Sequence, residues 1–220
     1  MQMEGTLENN NVIISGQIVE ECTFSHEVYG EGFFVFKISS ERLSDNEDIL
    51  PITVSERLID KDELKLGTIV QISGQLRSYN NYTNKKNKLI LTIFVREIAI
   101  IAPEENKNPN QIYLNGFICK KPVYRKTPFG REISDILVAV NRAYNKSDYI
   151  PCIAWGRNAR YTVNLEVGAN IKIWGRIQSR NYQKKIGDQI ENRVAYEVSI
   201  SKIEIVNKED KEETIQQESL

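Results

Sequence analysis

One histidine (His26) and three cysteines (Cys22, Cys119 and Cys152) are scattered through 220 residues. With no paired cysteine spacing and no second histidine, a disulfide scaffold and the common zinc sites are excluded. A Cys–His nucleophile pair would have only His26 to draw on, and no Gly-rich phosphate-cradling loop of the Walker type is present. These four residues therefore read as ordinary packing residues, Cys119 and Cys152 as buried thiols in apolar strands. The acidic cluster Asp45-Asn-Glu-Asp48 reads as a loop with no catalytic role. No apolar run approaches the ~18 residues of a membrane helix, and the N-terminus lacks a signal-peptide core. The expectation is a cytoplasmic protein without membrane contact, cofactor or enzymatic activity.

What the chain does have is 40% hydrophobic residues, enough for folded cores, and an internal repeat at an offset near 100 residues. Pro51 and Arg57 answer Pro151 and Arg157, Gly67 and Gly74 answer Gly168 and Gly175, and Gly16 answers Gly116. Between the copies, Pro103-Glu-Glu-Asn-Lys-Asn-Pro-Asn110 reads as a linker. After Val206 the chain is polar and acidic, which predicts a disordered tail over 207–220. Runs rich in Val, Ile and Phe predict strands at 12–19, 32–39, 49–54, 69–76 and 88–101, then at 112–119, 132–140, 149–155, 170–180 and 194–206. A short helix fits 157–166, with Gly168 to end it. Five strands with a helix between the third and fourth is the order of an OB barrel. The predicted fold is all-β: two tandem five-stranded OB barrels over 1–102 and 111–206, each with a short helix between strands 3 and 4.

The net charge of −1 hides a division. Residues 1–102 carry 10 Lys+Arg against 15 Asp+Glu, whereas residues 111–206 carry 16 against 8. A one-sided basic domain is the electrostatic footprint of a phosphate-bearing partner. Alternation along 171–182 shows where that charge sits. Ile171, Ile173, Gly175 and Ile177 form an inward face, and Lys172, Trp174, Arg176, Gln178, Arg180 and Tyr182 an outward one. Cations interleaved with rings suit a single-stranded nucleic acid, since the cations follow phosphates and the rings stack on unpaired bases. Tyr149, Trp155 and Arg157 on the third strand join the set, and Lys184 and Lys185 sit in the predicted hairpin after it. In the first barrel Gln71, Ser73, Gln75, Arg77 and Tyr79 occupy the matching outward positions, and Ser55 replaces Trp155. That face is degenerate, although Tyr79, Tyr82, Lys85, Lys86 and Lys88 leave some contact in its hairpin.

Over 112–206 the sequence resembles the bacterial single-stranded-DNA-binding proteins. The resemblance is carried in order by Tyr124-Arg-Lys-Thr-Pro-Phe-Gly130, Leu137-Val-Ala-Val-Asn-Arg142, Asp148-Tyr-Ile-Pro-Cys-Ile-Ala-Trp-Gly156 and Gly175-Arg-Ile-Gln-Ser-Arg-Asn-Tyr182. It implies wrapping of single-stranded DNA around four OB domains, with Tyr149, Trp155 and Tyr182 stacking and Arg157 and Arg180 on phosphates. Trp174 matches no stacking position of the family. Two barrels per chain imply a homodimer, and roles in replication, recombination and repair. The family's acidic tip ends in Pro-Phe and recruits repair and replication enzymes; here the tail ends Gln217-Glu-Ser-Leu220. Three other readings stand beside this one: RNA as the ligand, a primosome-type accessory factor, and an OB assembly module that binds no nucleic acid.

Overall fold

The computed structural model describes residues 9–42, 44, 46–81, 88–186 and 189–206. The predicted tail, together with Tyr82, Lys85 and Lys86, lies outside the described residues. The first barrel consists of β1 (Asn10–Val28), β2 (Glu31–Glu41), β3 (Glu47–Ser55), β4 (Ile69–Asn81) and β5 (Lys88–Ile100). β1 pairs with β2 and β4, β2 with β3 and β4 with β5, all antiparallel; β3 and β5 close the barrel in parallel. The second repeats this with β6 (Asn110–Ile118), β8 (Glu132–Arg142), β9 (Lys146–Trp155), β10 (Asn170–Ile186) and β11 (Gln189–Ile205), plus a short β7 (Val123–Lys126). β1 runs unbroken for 19 residues, but its counterpart is split into β6 and β7. Pro122 lies in the gap and has no N–H to give a ladder.

Both barrels have the expected short helix between the third and fourth strands, though of different kinds. The first has a single 3-10 turn, Lys61–Glu63, and the second has α1 (Gly156–Thr162). α1 ends earlier than residue 166: after Thr162 the backbone tightens into i→i+3 turns, Val163 donating to the Arg160 carbonyl (3.3 Å) and Leu165 to that of Thr162 (3.1 Å). Leu64 and Leu165, just after these turns, are both buried.

Inward alternation is clean: Val12, Ile14, Val70, Ile72, Ile112, Leu114, Ile171 and Ile173 are all essentially inaccessible and belong to one hydrophobic cluster. The repeated glycines have structural causes. Gly67 and Gly168 take φ of 85° and 89°, where a side chain would be strained. Gly74 and Gly175 face neighbouring backbone so closely that a Cβ would lie 2.4 Å from the Phe94 oxygen and 2.3 Å from that of Ser199.

β1 also pairs antiparallel with β6, from Asn10 opposite Leu114 to Ile14 opposite Asn110, so the two barrels share one 11-stranded sheet. The octapeptide read as a linker is pinned to the first barrel. Asn106 Oδ1 accepts from the Ser15 hydroxyl (2.5 Å), and Asn108 donates its amide to the Glu41 carbonyl (3.2 Å).

The junction has internal two-fold character. Asn10 brackets Leu76 through both backbone groups (2.7 and 2.9 Å), and Asn110 does the same to Ile177 (2.9 and 2.9 Å). Asp48 accepts the Ser179 N–H (2.7 Å) and Asp148 that of Ser78 (2.7 Å). The loop expected around Asp48 is thus corrected: Asp48 is a fully buried residue of β3, held by Arg42 (2.6 Å) and Arg176.

Candidate nucleic-acid interface

The long β10–β11 hairpin and the edge of the first barrel enclose two adjoining hollows of about 670 and 590 Å³. They share Lys37, Arg180, Val194 and Tyr196 and so form one groove along the barrel boundary. Trp155 stands at one end, on the last residue of β9, and is 39% exposed. Tyr182 and Arg193 stand at the other end, beside Leu89, Ile90 and Pro51 of the first barrel. Arg180 lies between them, with its guanidinium carbon 5.7 Å from the Tyr182 ring and its Nε 3.6 Å from Glu197. Rings and cations therefore alternate along an open channel. Stacking and phosphate neutralisation on single strands need this chemistry.

The expected residues divide by position. Trp155, Arg180 and Tyr182 are brought together. Arg176 is turned away and committed to the buried Asp48. Trp174 and Lys172 belong to the outer face of the shared sheet. There Trp174 packs on Tyr113 (ring centroids 5.3 Å apart) under the Lys202 ammonium, 4.5 Å from its ring. Lys172 is half-buried opposite Asn115 and Glu204. Tyr149 is 47% exposed but sits six residues before Trp155 on β9, about 20 Å away along an extended strand. Its N–H goes to the Ser78 hydroxyl (2.7 Å), at the first barrel's side of the junction. Arg157 is exposed in the first turn of α1. Lys184 and Lys185 are exposed but lie within β10, paired with Glu191 and Ile190, and not in a free loop.

Sequence reasoning missed Tyr196, Arg193, Lys37 and Arg42. Tyr196 was hidden among apolar β11 residues that read as core. Lys37 and Arg42 come from the acidic half, so a count by segment masked them. The repeat held a usable signal, since Arg42 and Asp48 recur at the same spacing as Arg142 and Asp148. Hydrogen bonding to Asp48 raises the Arg42 guanidinium above its ordinary value. The Lys37 ammonium is raised by its bond to Glu20 (2.6 Å). Burial pushes the Tyr196 hydroxyl up. Lys37 and Arg42 therefore stay charged, and Tyr196 stays neutral, at physiological pH. Among the described residues no cluster of His, Cys, Asp and Glu could hold a metal ion. None of the helices described is long and apolar enough to cross a membrane.

Comparison with known proteins places the second barrel. Residues 109–206 match the Single-strand binding protein family. Single-stranded DNA-binding protein A of Bacillus subtilis (strain 168) is 33% identical over 88 residues, 37% of this chain and 51% of that protein. The single-stranded DNA-binding protein of Clostridium tetani is 36% identical over 85 residues, 36% of this chain and 59% of that protein. The chain thus spans about half the length of the curated relatives it matches. The structure of wild-type single-stranded DNA binding protein from Thermus aquaticus superimposes with a TM-score of 0.72. It covers 90% of this chain and 93% of that one at 17% identity, a likeness of fold that extends over both barrels.

Proposed function

We propose that this chain, whose residues 109–206 match the Single-strand binding protein family and whose fold has two OB barrels, binds single-stranded DNA without sequence preference along the boundary groove. It is a binding protein and not an enzyme. The observation that carries the reading is the groove in which Trp155, Tyr196 and Tyr182 line a channel with Arg180. Bases stack on these rings at ~1–3 kcal/mol each, and the arginine and its neighbours take the phosphates. Arg157, two residues after Trp155, and Lys184 and Lys185, two and three residues after Tyr182, are exposed and in this reading extend the phosphate track. Tyr149, exposed at the Ser78 side of the junction, offers a further ring outside the groove. The cellular setting that fits is protection of unpaired DNA during replication, recombination and repair in the cytoplasm.

The active unit in this reading is a homodimer with four barrels. Ile13, Tyr113 and Trp174 all lie on the outer face of β1, β6 and β10, with Ile13 42% exposed, and they supply an apolar patch for a second copy. Light scattering should give twice the 25.3 kDa chain mass, and Trp174→Glu should reduce it to one chain. A monomeric wild type rejects this part.

The test of binding is titration of oligo(dT) at low salt, followed by tryptophan fluorescence. The expected result is quenching that Trp155→Ala abolishes in large part, with affinity lowered by ~1–3 kcal/mol. No detectable binding would favour an assembly module instead.

A further inference from the structure

β1 and β6 cross the junction antiparallel, so they leave it in opposite directions and carry two matching hairpins, β1–β2 and β7–β8, to opposite ends of the molecule. The two ends are built alike. Tyr29 and Phe129, a hundred positions apart, are almost wholly exposed at the hairpin tips. Each precedes a glycine in the left-handed region, Gly30 with φ 78° and Gly130 with φ 75°. Leu66 and Val167, both more than half exposed, follow the helical turn of each barrel. Hairpin and loop meet at both ends. Glu21 and Cys22 of β1 share a hollow with Asp62, Lys65 and Leu66. In the second barrel, Glu132 of β8 accepts the Tyr124 hydroxyl (2.6 Å) and pairs with Arg160 of α1 (2.9 Å).

Their charges are opposite. Residues 19–37 with 58–68 hold 7 Asp+Glu against 3 Lys+Arg, whereas the matching residues 119–137 with 158–168 hold 3 against 6. None of those six cations is among the residues lining the boundary groove. Local ion pairs, Glu20 with Lys37 (2.6 Å) and Arg125 with Asp135 (2.9 Å), cancel within each end and leave the surplus unchanged. Glu21, Asp60, Asp62 and Glu63 are exposed at one end, and Lys120, Lys121, Lys126 and Arg131 at the other.

We infer that the acidic end of one copy docks on the basic end of the next, so that copies line up head to tail. Opposite surplus favours this contact and makes like ends repel, which suppresses the wrong pairing. A contact between unlike ends leaves one free end of each kind, so it continues to further copies and does not close into a two-fold dimer. Phe24, Tyr29 and Leu66 on one side, and Val123, Phe129 and Val167 on the other, give it apolar surface to bury. The contact is separate from the outer face of β1, β6 and β10, and it needs no DNA. A basic protein on the acidic end, or DNA phosphates on the basic one, would account for only half of the inversion.

The full chain is tested by sedimentation velocity without DNA. Weight-average mass should climb with protein concentration in ~10 mM NaCl, where charges act over ~30 Å, and stay constant in ~1 M, where they act over ~3 Å. Lys120→Glu, Lys126→Glu and Arg131→Glu together turn the basic end acidic. Glu21→Lys, Asp62→Lys and Glu63→Lys together turn the acidic end basic. Each triple variant alone should keep its high-salt mass. An equimolar mixture should regain the climb, because unlike ends then meet between the two proteins, and that recovery separates lost contact from misfolding. A wild-type mass independent of concentration in low salt overturns the inference, as does a climb that either variant retains alone. So does a mixture that stays at its high-salt mass although both variants melt like the wild type. If the first variant still associates but loses affinity for oligo(dT), the basic end serves phosphates and the head-to-tail contact falls.

Discussion

Asp48 shows how much one buried charge decides. It is fully inaccessible, yet it takes hydrogen bonds from Ser179 and ion pairs from Arg42 and Arg176, tying β3 of one barrel to β10 of the other. Removing one partner of a buried pair costs ~3–5 kcal/mol, and the partial exposure of both arginines argues for the lower end. Asp48→Asn should therefore lower unfolding free energy by about 3 kcal/mol in urea titration. A change under about half a kcal/mol would mean that solvent screens the cluster. The same residue marks the limit of local reading. Asp45-Asn-Glu-Asp48 has a loop's composition, and no property of the tetrapeptide reveals that two arginines arrive from 6 residues before and 128 residues after. Arg176, paired with Asp48, meets the same limit. Alternation correctly turned it outward from the barrel, but outward at that position means toward the other barrel.

At the scale of elements, the β10–β11 hairpin supplies one wall of the groove, and its close pairing at the Trp174/Gly175 register shift depends on Gly175. A Cβ there meets the Ser199 oxygen at 2.3 Å, a backbone atom that cannot rotate aside. Gly175→Ala should cost ~1–3 kcal/mol as an overpacked core site does, and lower the melting temperature by roughly 2–10 °C. Calorimetry checks this, and an unaltered melting temperature would show that the strands separate freely there. Element type was legible for the ten main strands, though not for β7, because period-two alternation of Ile and Val against polar residues is a local signal. Element ends were less so. Lys184 and Lys185 seemed hairpin residues because polar runs read as turns, yet cross-strand pairing with β11 carries β10 through them. α1 stopped short of residue 166 where its backbone tightens into i→i+3 turns, which no propensity scale registers.

For the whole molecule, the shared sheet and common core predict that the barrels unfold together. Differential scanning calorimetry should show one transition with calorimetric and van't Hoff enthalpies in agreement; two separate transitions would mean the junction is weaker than its hydrogen bonds imply. DNA affinity should fall linearly with salt on logarithmic axes, at about −0.7 per phosphate engaged. A flat response would remove the charge half of the proposed mechanism. Sequence alone determined the repeat, the ten main strands, the inward faces and the basic character of the second half, because each depends on spacing within one segment. It also placed Trp155, Arg180 and Tyr182 on outward positions. Tertiary structure alone decided that these three share a groove, that Lys37 and Arg42 of the acidic half join them, and that Trp174 faces elsewhere. Curvature and barrel closure determine which outward positions meet. Charge is likewise compensated across the junction, between residues about a hundred positions apart, where counting along the chain cannot see it.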